Sequence, residues 1–176
     1  MLKVIGTCDA GNLPDIVEID YYVPISFDSY EYTLGDICYI RMVDPVNLVE
    51  FRIHGLSHVI RGVSAILVKN RSPVALERHG VISAEKGLPI IEMPPDELFS
   101  GPEGFKIMDI PSDCSIFLGE DFADIILSAE IKYDKAIVYG RTSFLTMEDY
   151  IVGVRIDSLT LDESNCLRDY MKRMEL

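Results

Sequence analysis

The feature that constrains this chain most is a repeated succession of short β-branched and aromatic runs broken by turn signals. Val17 to Tyr21, Ile37 to Val43 and Leu48 to Ile53 all contain stretches of apolar and polar alternation. That period of two gives a strand one face for a core and one for water. His58 to Lys69 reads as a further strand, with Gly62 marking a candidate bulge. Turn chemistry falls between the runs, at Asn12-Leu13-Pro14-Asp15, Leu34-Gly35-Asp36, Asp44-Pro45 and Asn70-Arg71-Ser72-Pro73. Strands this short and this frequent point to barrels or sandwiches rather than βαβ units.

The pattern resumes in Phe105 to Ile110, Cys114 to Leu118, Asp124 to Tyr133, Lys135 to Arg141 and Tyr150 to Ile156, with a tight turn expected near Asp134. The period then changes. Leu167, Tyr170, Met171 and Met174 fall at i, i+3, i+4 and i+7, one face of an amphipathic helix. Thr160-Leu161-Asp162-Glu163 has capping-box spacing at its start. A helix from about Asp162 to Met174 is therefore predicted, packed on a β surface.

Between these halves, Met93 to Gly104 holds Pro94-Pro95, Asp96-Glu97 and Gly101-Pro102. Adjacent prolines cannot donate to a ladder, so this stretch reads as a linker or long loop. It divides the chain into an N-terminal β domain, 1–92, and a C-terminal β-barrel with its helix, 105–176. One barrel interrupted by a long loop is the competing reading.

Charge narrows the partners. With 16 Lys and Arg against 29 Asp and Glu, the net charge is −13, which repels a nucleic-acid backbone. No apolar run approaches the roughly 18–20 residues of a membrane helix, and the N-terminus lacks a signal-peptide pattern. A cytoplasmic protein without membrane insertion is the expectation. Cys8, Cys38, Cys114 and Cys166 stand far apart among apolar neighbours, which suits reduced thiols better than a metal site. His54 and His58 are four apart, but on a strand–turn–strand segment, where that spacing makes no compact ligand face. No phosphate-cradling glycine loop and no nucleophile elbow is present. Neither a catalytic nor a metal site is expected.

From about residue 105 three segments go together: Ala136 to Arg141, Tyr150 to Ile156, and Leu159-Thr160 with Glu163, Leu167 and Tyr170. In that order they resemble a PilZ domain, a small β-barrel that receives the second messenger cyclic di-GMP. Ala136-Ile137-Val138-Tyr139-Gly140-Arg141 looks like that family's penultimate strand. Tyr150-Ile151-Val152-Gly153-Val154-Arg155-Ile156 is similar to its closing Tyr-x-Val-Gly-Val-Arg-Phe strand. Leu159-Thr160, Glu163, Leu167 and Tyr170 look like the helix that follows. The resemblance implies two small antiparallel barrels, with a split PilZ-like barrel at the C-terminal end. Domain order makes residues 1–92 similar to the β domain that precedes PilZ in flagellar-brake proteins.

The family's ligand is read by an Arg-x-x-x-Arg loop and an Asp/Asn-x-Ser-x-x-Gly segment. Guanidinium forks suit its phosphates and stack on its guanines. Here Asp109 matches, but Pro111 stands in the serine position, Cys114 in the glycine position, and Ser112 comes one residue late. No Arg-x-x-x-Arg exists; Arg71 and Arg78 are the nearest candidates. The ligand set implied is therefore Arg71, Arg78, Asp109, Ser112 and Arg155, with cyclic di-GMP disfavoured and no other cofactor indicated. The expected function is a non-enzymatic adaptor docking a protein partner in motility or second-messenger signalling. The alternatives are a true cyclic di-GMP receptor with a variant site and an acidic, immunity-type inhibitor of a toxin.

Overall fold

A computed structural model describes residues 1–9, 11, 15–29, 37–69, 72–102, 105–129 and 131–174, with side chains for all of these except Val81 and Ile82. The strands are β1 (Val4–Cys8), β2 (Asp15–Glu18), β3 (Ile25–Ser29), β4 (Ile37–Val43), β5 (Asn47–His54), β6 (Ile60–Val68) and β7 (Glu77–Lys86). They continue with β8 (Leu88–Ile91), β9 (Lys106–Pro111), β10 (Ser115–Leu118), β11 (Ala123–Ile126), β12 (Lys132–Tyr139), β13 (Thr142–Met147) and β14 (Tyr150–Ile156). One helix, α1 (Leu161–Met174), follows. The mostly β class with a C-terminal helix is as the residue patterns predict.

Two six-stranded sheets carry the fold, in the orders β2-β3-β6-β5-β4-β9 and β10-β11-β14-β13-β12-β7. Each half therefore arranges its own five strands as first, second, fifth, fourth, third. The neighbours within each five are antiparallel. The sixth strand of each sheet comes from the other side of the 93–104 stretch and lies parallel: β9 beside β4, and β7 beside β12. Two strand pairings thus cross the expected division between 1–92 and 105–176. Among the described residues of the 93–104 stretch there is no strand, but a 3₁₀ turn at Asp96–Leu98 and a single antiparallel bridge from Ser100 to Ile107.

The likeness of the halves extends to their irregularities. In the first sheet Arg52 pairs with Gly62 but Ile53 with Ile60, leaving Arg61 as an extra residue. In the second, Leu145 pairs with Gly153 but Thr146 with Ile151, leaving Val152 extra. The bulge expected at Gly62 is present, and Ile151-Val152-Gly153-Val154 repeats it. Such a bulge sharpens twist and curls a sheet.

A short ribbon joins the sheets. β1 pairs with β8, Val59 bridges to Ile90, and Lys3 bridges to Tyr150. The main apolar core runs from Leu2 through both sheets to Met171. At its centre the Phe27 ring meets Tyr139 and Phe144 edge-on, each at 5.8 Å between centroids. The predicted helical face is buried: Leu167 at 0% exposure, Tyr170 at 1% and Met171 at 8%, with Met174 packed against the core. The Tyr170 hydroxyl also accepts the Val68 N–H at 3.0 Å, tying the helix to the first sheet.

Some local expectations are corrected. Asp134 lies inside β12; β11 ends at Ile126 and β12 begins at Lys132, so no turn falls at Asp134, and the tight turn is the one from β12 to β13 at Gly140, whose φ of 58° suits glycine. β7 escaped the alternation rule because it is an exposed edge strand of mixed charge. The expected turn residues 12–14, 34–36, 70 and 71 lie outside the described residues.

Candidate functional site

Among the described residues, those singled out by sequence do not share one ligand-ready surface. Arg71 lies outside the described residues. Arg78 sits exposed on β7, opposite Tyr133 in register. Asp109 lies on β9, in the first sheet, and is gripped by Arg41 from β4. Nε and Nη2 of that arginine donate to the two carboxylate oxygens at 2.6 and 2.9 Å. Ser112 spends its hydroxyl on the Leu127 carbonyl at 2.8 Å and its N–H on the Val43 carbonyl at 3.0 Å. Cys114, in the glycine position of the family segment, is wholly buried, and burial pushes its thiol up to about 11. Its backbone is not left-handed.

Arg155 is the most elaborately placed of the set. β11 and β14 set Asp124 directly opposite it, on the face of the second sheet turned away from the main core. Nε and Nη2 of Arg155 donate to the two Asp124 oxygens at 2.7 and 2.9 Å. The Asp124 side chain is 0% exposed and that of Arg155 18%. The guanidinium lies 4.4 Å from the Phe122 ring centroid and 5.9 Å from that of Tyr133. Such a planar cation satisfies carboxylate and aromatic faces together.

Residues 72–76 cross this face. Ser72 donates its N–H to the Ile116 carbonyl at 2.9 Å. Leu76 donates its N–H to Asp124 at 2.8 Å and accepts from Arg155 Nη2 at 3.1 Å. The Leu76 side chain fills the hollow over Gly153, where a Cβ would collide with it. Beneath lies a small apolar cluster of Leu76, Ile126, Tyr133, Leu145 and Val152, separate from the main core. Nearby, burial lifts the Asp157 carboxyl above its ordinary range, and the charges of Asp124 and Asp121 add to the shift.

The first sheet has its own ionic network. Arg52 reaches across bare Gly62 to Asp28, with Nη2 to Oδ1 at 2.9 Å. It also donates to the Ser64 hydroxyl at 2.8 Å and the Phe27 carbonyl at 3.1 Å. A second arginine clamps the halves together. Arg141 donates bidentately to Glu163 at 2.6 and 2.9 Å and to the Val17 carbonyl of β2 at 3.3 Å, while its N–H goes to Asp15. Glu163 closes the predicted capping box, accepting from the Thr160 N–H at 2.8 Å. The Arg141 bonds hold its carboxyl at about 2.

Sequence reading missed Asp124, Leu76 and Asp28. Asp124 is 31 residues from Arg155, and only strand pairing brings them together. The nearest sequence signal was the Arg of the Val-Gly-Val-Arg strand, a buried charge that needs a partner. The four cysteines form no disulfide; Cys38 and Cys114 are buried and Cys8 and Cys166 half-buried. His54 bonds Ser57 within the β5–β6 turn, Nδ1 to Oγ 2.8 Å. Among the described residues no group of three His, Cys, Asp or Glu side chains is placed to hold a metal, and no helix is long and apolar enough to cross a membrane. No protein-family model and no curated protein matches this chain.

Proposed function

We propose that this chain is a non-enzymatic adaptor, PilZ-like in its C-terminal half, that docks a protein partner in motility or second-messenger signalling. In this reading it works in the cytoplasm and does not take cyclic di-GMP as its ligand. The observation that carries the reading is the prior commitment of three of the five candidate ligand groups. Asp109 is held by Arg41, the Ser112 hydroxyl by Leu127, and Arg155 by Asp124 and Leu76. A dinucleotide with two phosphates needs guanidinium groups aimed outward. Freeing Arg155 would strand a fully buried carboxylate, a cost of several kcal/mol.

Isothermal titration with cyclic di-GMP tests this. No saturable binding is expected below about 10 μM, a free energy near −7 kcal/mol. A clean isotherm at lower concentration, abolished by Arg71→Ala or Arg78→Ala, overturns the reading in favour of a receptor.

A further inference from the structure

Residues 72–76 lie on the second sheet much as a bound peptide would. Their hold consists of one N–H on a strand carbonyl, one N–H on Asp124, one carbonyl on Arg155 and one leucine over Gly153. Every polar contact to the sheet uses backbone groups, while the strap itself bends at Pro73–Val74, where the Ser72 hydroxyl donates to the Val74 carbonyl at 2.7 Å. The side chains that matter are an apolar group of leucine size and the buried serine whose hydroxyl shapes the bend. The apolar cluster beneath is distinct from the main core, so lifting the strap disturbs few of the contacts that hold the sheets together. The first sheet shows that this strand order does not itself require such a strap. There the corresponding hollow over Gly62 is filled by Arg52 and Asp28 of the same sheet.

We propose that the outer face of the second sheet is a docking site for a short, bent peptide segment of a partner protein, with a serine at the bend and a leucine-type side chain as its anchor. Residues 72–76 are its resident occupant. This deepens the adaptor reading and rests on it. The occupant follows from the strap itself: Asp124 offers a carboxylate to an incoming N–H, Arg155 offers a donor to the adjacent carbonyl, and the Gly153 hollow admits the side chain between them. A tethered strap competes at an effective concentration in the millimolar range. A partner segment must therefore make contacts beyond these five residues, or bind while the strap is open.

Native-state hydrogen exchange on the intact protein tests the first half. The Ser72 and Leu76 amides should be about 100-fold less protected than those of Phe144 and Val154, because the strap opens locally. Equal protection, with all four amides exchanging only through global unfolding, overturns the proposal. The second half uses Leu76→Asp, which sets a carboxylate over the apolar hollow beside Asp124 and ejects the strap. The blocked peptide Ser72–Glu77, supplied in trans at millimolar concentration, should raise the melting temperature of this variant. The same peptide with aspartate for leucine should not. A folded variant indifferent to both peptides overturns the docking site, and if the variant fails to fold, the exchange measurement decides alone. A cyclic di-GMP isotherm would sink the adaptor reading without changing any of these exchange rates, so the two failures are distinguishable.

Discussion

The two sheets share a strand order and a glycine bulge, yet finish their outer faces in opposite ways. In the first, the residues two positions beyond the bulge glycine and opposite it are Ser64 and Ser26, whose hydroxyls lie 3.3 Å apart. The ionic pair sits one row away, with Arg52 spanning Gly62 to reach Asp28. In the second sheet the same two positions hold Arg155 and Asp124, and the glycine row receives Leu76. One face is paved by its own partly buried side chains, Arg52 at 12% and Asp28 at 24% exposure. The other hides a carboxylate completely and needs a strap to do it. The lesson is that a common topology fixes where a hollow forms and leaves its filling to a few residues.

The comparison breaks most completely if either half stands alone. Residues 1–92 lack β9 at the edge of β4, and their β7 has no β12 to lie against. That fragment should show no cooperative thermal transition by circular dichroism. A sharp melt would mean that the two crossing strands are decoration. Next in size is Leu167→Ala, on the helix that caps both sheets, which should cost about 3 kcal/mol by urea denaturation.

The bulge glycines sharpen the contrast. A Cβ at Gly153 would meet the Leu76 side chain and lie 2.7 Å from the backbone carbonyl of Ile125, which cannot step aside. At Gly62 it would meet the Arg52 and Asp28 side-chain ends, at 2.5 to 2.6 Å, and these can move into solvent. Gly153→Ala should therefore cost about 2–3 kcal/mol, and Gly62→Ala about 1. Equal costs would argue that the two faces are equally rigid.

The smallest effect concerns the clamp between the halves. The Glu163 carboxyl titrates at about 2, below its ordinary value, chiefly because Arg141 bonds its charged form. Its contribution is complete above the unfolded-state value, roughly pH 4.3, and is lost as pH falls toward about 2. Melting temperature should decline across that window, and Glu163→Gln should flatten this part of the decline.

Much of the architecture was legible because it rests on local periodicity. Leu167, Tyr170 and Met171 announce their face by spacing, and the Thr160–Glu163 cap by chemistry. β4 and β5 alternate cleanly, since one side of each is core. The parallel placements of β7 and β9 were not legible. Nothing local distinguishes a strand that pairs with its own half from one that crosses, because pairing partners are a property of the assembled core. The same limit hid the candidate site. Arg155 could be noticed as a motif residue, but Asp124 and Leu76 acquire meaning only when β11 and residues 72–76 are laid against β14.

The central claim is that Arg155 is a structural clamp and not a ligand-reading group. Urea unfolding of Arg155→Ala beside Arg52→Ala tests it most directly. Removing Arg155 leaves the wholly buried Asp124 without its cation, which should cost about 3–5 kcal/mol. At a typical urea dependence this is a fall of about 2 M in the midpoint. Arg52→Ala, whose Asp28 partner is 24% exposed, should shift it by about a third as much. An unchanged midpoint for Arg155→Ala would contradict the account and return that arginine to the role of a ligand residue.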